Sequence, residues 1–97
     1  KTAKIISIEK HPDADKLYIE KLDDGSGIER TILSGLVPFL KEEELLGKTV
    51  IIADNLKPRK MRGIESQGML LCSESEDGKT CVLLKPEKDV EPGTPVT

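Results

Sequence analysis

The sequence predicts an all-β chain with one short helix, closed as a five-stranded Greek-key barrel with room for an extra C-terminal strand. Three observations predict it. Short β-branched runs recur between turns rich in Gly, Pro and Asp; one acidic segment between the third and fourth runs carries helix start and stop signals; and 97 residues suffice for one small core, so residues 1–97 are expected to form one domain. An SH3-like barrel or a small α+β sandwich would share much of this pattern.

The first run, "KIISIEK" (4 to 10), is partly alternating and reads as a strand, and "HPDAD" (11 to 15) supplies turn residues. "KLYIEKLD" (16 to 23) is a second strand, with Leu17 and Ile19 on one face and Tyr18 and Glu20 on the other. "DGSG" (24 to 27) turns the chain into a third strand, "IERTILSG" (28 to 35). "PFLKEEELLG" (38 to 47) opens with proline, holds three glutamates and stops at glycine, the pattern of a helix with Phe39, Leu40 and Leu45 or Leu46 turned inward. "KTVIIAD" (48 to 54), "GMLLCSE" (68 to 74) and "TCVLLK" (80 to 85) are the remaining strands, and the proline- and glycine-rich tail "EPGTPV" (91 to 96) is suited at most to a brief edge strand. Three strands, a helix and two further strands is the order of an OB-fold, which binds its ligands with the loops after strands one and four and the face between them.

Composition narrows the function. With 36% hydrophobic and 34% charged residues and no apolar run of bilayer length, a membrane span is not expected. The chain opens without a charged-then-apolar leader, so no signal peptide is expected either. If Asp77 and Gly78 centre a hairpin, Cys72 faces Leu83 and Cys81 faces Glu74. The two cysteines are then diagonal neighbours, about 7 to 8 Å apart, which is beyond comfortable bridging distance. Two free thiols suit a reducing compartment, and the expected location is cytoplasmic. No catalytic residues are assigned: the one histidine, His11, lacks a nearby nucleophile, and no phosphate-binding glycine loop or CxxC pair is present. His11, Asp13 and Asp15 read as a structured turn, with an aspartate capping the residues that follow, rather than a metal site. No cofactor is expected.

The chemistry concentrates in "NLKPRKMRGIESQGM" (55 to 69). Lys57, Arg59, Lys60 and Arg62 crowd four cations into six positions of a chain with net charge -3, with Met61 among them. Pro58 and Gly63 argue for a shaped loop rather than a strand. Such a cluster suits phosphate, and arginine can fork onto phosphate or base edges; Asn55 and Ser66 add neutral hydrogen bonds. A basic run can equally be a solvated loop, but this one follows the fourth strand, where the fold would present it to nucleic acid. The only aromatics are Tyr18 and Phe39, and Phe39 is expected in the core, too few for a long stacking groove. A folded RNA, read by shape and backbone with one or two splayed bases, fits better.

"HPDADKLY", "SGL" (34 to 36) and "NLKPRKMRGIESQGM" together resemble the tRNA-binding domain shared by the endothelial monocyte-activating polypeptide, the C-terminal appendage of methionyl-tRNA synthetases, a yeast synthetase cofactor and free-standing bacterial tRNA-binding proteins. The resemblance runs from about residue 4 to residue 96. It implies an OB-fold that binds tRNA without catalysis, with contacts at Asn55, Lys57, Lys60, Met61, Arg62, Ser66 and Met69. Arg59 falls where the family motif is not constant, and Arg30 is a supplementary phosphate contact on the adjoining strand. The implied partner is tRNA, together with an aminoacyl-tRNA synthetase catalytic domain or a multi-synthetase complex. The alternative function is a protein interaction or cytokine-like module of such a complex.

Overall fold

A computed structural model describes residues 1–97. Its five-stranded antiparallel sheet takes β1 (Thr2–Lys10), β2 (Tyr18–Asp23), β3 (Arg30–Ser34) and, after the helix α1 (Glu42–Leu45), β4 (Thr49–Ala53). A small hairpin follows, β5 (Arg59–Met61) with β6 (Ile64–Ser66), before the chain re-enters the sheet as β7 (Met69–Leu70) and leaves it as a second hairpin, β8 (Cys72–Glu74) with β9 (Cys81–Leu83). In the sheet β1 lies between β2 and β4, with β3 and β7 at the edges. This is the order of an opened OB barrel.

Closure joins the β3 edge to the end of β6, just before the chain enters β7. The Gln67 N–H donates to the Thr31 carbonyl at 2.7 Å, and the Thr31 N–H returns a bond to Gln67 Oε1 at 2.9 Å. One residue pair along, the Leu33 N–H donates to Ser66 Oγ at 3.0 Å. Side chains thus satisfy the backbone groups that an edge strand would otherwise leave open. The barrel encloses Ile5, Leu22, Ile32, Leu45, Val50 and Ile52, each at most 2% exposed, and each contributes roughly 1.5 to 3 kcal/mol by leaving water.

Several expectations shift in detail. The helix spans only Glu42–Leu45, because residues 36 to 40 form a tight turn in which the Phe39 and Leu40 N–H groups both donate to the Leu36 carbonyl. Leu45, not Leu46, is the buried member of its pair. The strand expected over 68 to 74 breaks at Leu71, whose N–H bonds β4 through Ile51 while its carbonyl accepts from Leu84, so it stitches sheet to hairpin. In the turn over 11 to 15, the His11 imidazole Nδ1, not an aspartate, accepts the capping bond, from the Asp13 N–H at 2.9 Å.

The tail forms no strand but is held along β1. The Thr2 N–H donates to the Thr94 carbonyl and the Gly93 N–H to the Thr2 carbonyl. Backbone approaches backbone here: a Cβ on Gly25 would lie 2.5 Å from the Pro92 carbonyl oxygen, and one on Gly93 2.5 Å from that of Asp24. Only glycine fits at either position.

Candidate nucleic-acid interface

The segment expected to be a shaped loop is a β-hairpin. Arg59 pairs with Ser66, Lys60 with Glu65 and Met61 with Ile64, leaving Arg62 and Gly63 as a two-residue turn. Both turn residues have positive φ, +52° and +86°, as a type I′ turn demands. Gly63 was legible as the flexible point; what the composition concealed is that Pro58 lies just outside the strand and leaves the ladder intact.

Strand alternation then sorts the side chains. Arg59 and Met61 face a cavity under the hairpin, while Lys60, between them, points to the other side. Asn55, Lys57, Arg59, Lys60 and Arg62 are all exposed. The chain's three ion pairs join Lys1 to Asp24 and Asp54 and Arg30 to Asp24, so the four cations of the hairpin segment take part in none. Four uncompensated positive charges within six residues create a local positive field on a negatively charged chain.

Arg62 carries a further signal. A left-handed conformation costs a non-glycine residue roughly 1 kcal/mol or more, and asparagine is the residue that type I′ turns favour at this place. The strain of an arginine at this exposed tip is not repaid by burial or by an ion pair. Arg62→Asn is therefore expected to stabilise the fold, raising the free energy of unfolding by about 0.5 to 1 kcal/mol, while weakening RNA binding, a divergence that denaturant titration and an RNA binding isotherm on one sample would reveal.

Two of the expected contact residues are placed differently. Ser66 is buried, and its hydroxyl is used twice within the protein, accepting from the Leu33 N–H and donating to the Gly68 carbonyl at 3.1 Å. Arg30 donates through Nε to Asp24 Oδ2 at 2.8 Å and through Nη1 to the Gln67 carbonyl. These two residues anchor the base of the hairpin to β3. Burial alone would raise the Asp24 pKa, but hydrogen bonds from Ser26 and Arg30 and the charge of Lys1 outweigh it and hold the carboxyl well below its ordinary value. Asp24 stays ionised as the partner of Arg30.

Met69 is exposed and Met61 half-buried, and both line the cavity, which has a volume of about 380 Å³. Leu33, Leu36, Phe39 and Leu56 line it too, with Lys57 and Arg59. Sequence reasoning placed Phe39 in the core, and its half-buried ring does pack against the core cluster while also lining the cavity; Leu56 was passed over. In the structure Tyr18 is the buried aromatic, its hydroxyl donating to the Leu40 carbonyl at 2.7 Å, and half-buried Phe39 faces the cavity. Leu56, an apolar residue between Asn55 and Lys57, was the available signal.

Behind the cavity, Ser34 donates to Glu20 Oε2 at 2.5 Å, and Glu20 is wholly buried with Oε1 unpartnered. Burial pushes its carboxyl up to about 8. The cysteines take the expected register, Cys72 opposite Leu83 and Cys81 opposite Glu74, and both are free. Burial, then the neighbouring Cys81 thiol and the charges of Glu20 and Glu74, pushes the Cys72 thiol up to about 12.

Barrel and hairpin define a class: small OB-type barrels that carry a cationic, partly apolar arm between β4 and β7. Residues 1–95 match the family described as "Putative tRNA binding domain", and the chain belongs to that family. It is 76% identical to a methionine–tRNA ligase of Treponema denticola over 99% of its own length and 12% of that protein's. It is 55% identical to the cytoplasmic tyrosine–tRNA ligase of Gallus gallus over 77% of its length and 14% of that protein's. The chain thus spans about an eighth of the curated relatives it matches. A solved structure, the MetRS related protein from Pyrococcus horikoshii, superposes with a TM-score of 0.92 at 39% identity, covering 100% of this chain and 87% of that one.

Proposed function

We propose that residues 1–97 act as one tRNA-binding unit that performs no chemistry of its own and delivers tRNA to a synthetase catalytic domain. The observation that carries this reading is the set of four exposed cations outside any ion pair on one hairpin segment, in a chain that belongs to a tRNA-binding family. Lys57, Arg59, Lys60 and Arg62 contact phosphate, Asn55 contributes neutral hydrogen bonds, Met61 and Met69 meet the RNA surface, and Ser66 and Arg30 hold the hairpin to the barrel.

The small share that this chain takes of its synthetase relatives supports an appendage role. A weak RNA site tethered to a catalytic domain raises the effective concentration of tRNA there without new chemistry. No helix is long and apolar enough to cross a membrane, and with free cysteines and synthetase relatives a cytoplasmic location suits this role.

Binding through about four phosphates predicts that log Kd rises with log salt with a slope near 3, at about 0.7 per contact on irregular RNA. Titrating tRNA and an unrelated hairpin RNA of equal length at two salt concentrations tests the reading. A salt-independent affinity would remove the phosphate contacts from the account, and equal affinities would reduce the function to general RNA binding.

A further inference from the structure

Resting on the reading of this chain as an RNA binder, we propose that the cavity under the hairpin is a receptor for one unstacked nucleobase of that RNA. Phosphate contacts require cations alone. They give no reason for Leu56 and Met69 to stand 47% and 53% exposed beside four cations, or for Phe39 to face the same space. At about 380 Å³ the cavity has the size of a small-ligand site.

The chemistry of its wall is graded. Lys57 and Arg59 line the cavity from the hairpin segment and suit the phosphates flanking a base. Met61 and Met69 offer polarisable sulfur to an aromatic ring, and Phe39 offers a ring of its own. Ser34 also lines the cavity; its proton is engaged with Glu20, which leaves the oxygen free to accept from an amino or imino group. Cationic contacts joined to an apolar, partly aromatic wall match the two halves of a nucleotide. A phosphate alone would use only the first half and an apolar peptide only the second.

The chain contains two methionines, and both line the cavity. Their methyl groups, labelled with 13C, therefore report on its occupancy by NMR. Titration with adenosine, guanosine, cytidine and uridine 5′-monophosphates should shift both methyl signals, whereas ribose 5-phosphate at equal concentration should not. Absence of nucleotide-dependent shifts, or equal shifts from ribose 5-phosphate, overturns the proposal.

Gly35 supplies an independent arm. It lines the cavity, its φ lies outside the left-handed region, and a Cβ built on it meets nothing within 4 Å. Gly35→Leu introduces its Cβ without a clash and should occupy the space, abolish the nucleotide shifts and weaken tRNA binding about 5- to 150-fold, the range for loss of one stacked base. The salt slope should stay unchanged because the phosphate contacts remain. Parent-like tRNA affinity in a folded Gly35→Leu chain sinks the base receptor. Failure of the parent chain to bind tRNA in the same titration sinks the function on which it rests.

Discussion

Replacing Lys57, Lys60 and Arg62 together by glutamate is expected to abolish measurable tRNA binding, with a loss on the order of 100-fold or more, and to flatten the salt slope by about 2. Three attractions become three repulsions on one exposed hairpin segment. None of the three side chains is buried or ion-paired, and exposed substitutions of this kind usually change stability by no more than about 0.5 kcal/mol each. An unchanged melting transition with lost binding assigns the effect to contact. Survival of tRNA affinity in the triple variant would move the site elsewhere on the barrel.

The second large effect is on stability and depends on pH. Glu20 is wholly buried, and its folded-state pKa of about 8 stands above the ordinary value of 4.5. The folded chain therefore holds a proton that the unfolded chain releases. The contribution of the neutral acid is complete below about pH 4.5, declines as pH rises, and is gone above about pH 8, at roughly 1.4 kcal/mol per pH unit through that window. A chain of this size has little stability in reserve, so several kcal/mol should lower its melting temperature by many degrees between pH 5 and pH 8.5. Asp24 has the opposite sign: its depressed pKa stabilises above the ordinary value of 3.8 and is lost as pH falls. Maximum stability is accordingly expected on the acid side of neutrality. Glu20→Gln keeps an acceptor for the Ser34 hydroxyl and removes the titration. It should match the parent near pH 5 and exceed it at pH 8.5, as thermal melts at the two pH values will measure. A variant with the parent's downward slope would assign the pH dependence to another group.

The element order was readable because strands, turns and the acidic helix each leave a local signature. Gly47 closes the helix at φ +79° as its position suggested, and Cys72 and Cys81 take the expected register, although the turn between them is centred on Glu76 and Asp77, with the Gly78 N–H donating to the Ser75 carbonyl. The hairpin was not readable. Its strands are three residues each and carry cations and serine where β-branched residues would be expected, so periodicity has nothing to detect. It exists because Ser66, Gln67 and Arg30 tie it to β3 and because Gly63 accepts the turn.

The same division runs through the site. The local excess of positive charge and the resemblance carried by Asn55, Met61, Ser66 and Met69 are properties of the chain as written, since they depend on which residues are neighbours in sequence. Which residues face a ligand depends on contacts between distant segments. Ser66 and Arg30 turned inward because barrel closure needed partners for the backbone of β3 and for Asp24, while Phe39, from the turn before the helix, came to face Met61 and Met69 across one cavity. Sequence alone thus determined the fold class, the family and the positive charge of the segment after β4. Only the tertiary structure decided that this segment is a hairpin with a cavity beneath it, because burial and long-range hydrogen bonding, not local propensity, set the direction of each side chain.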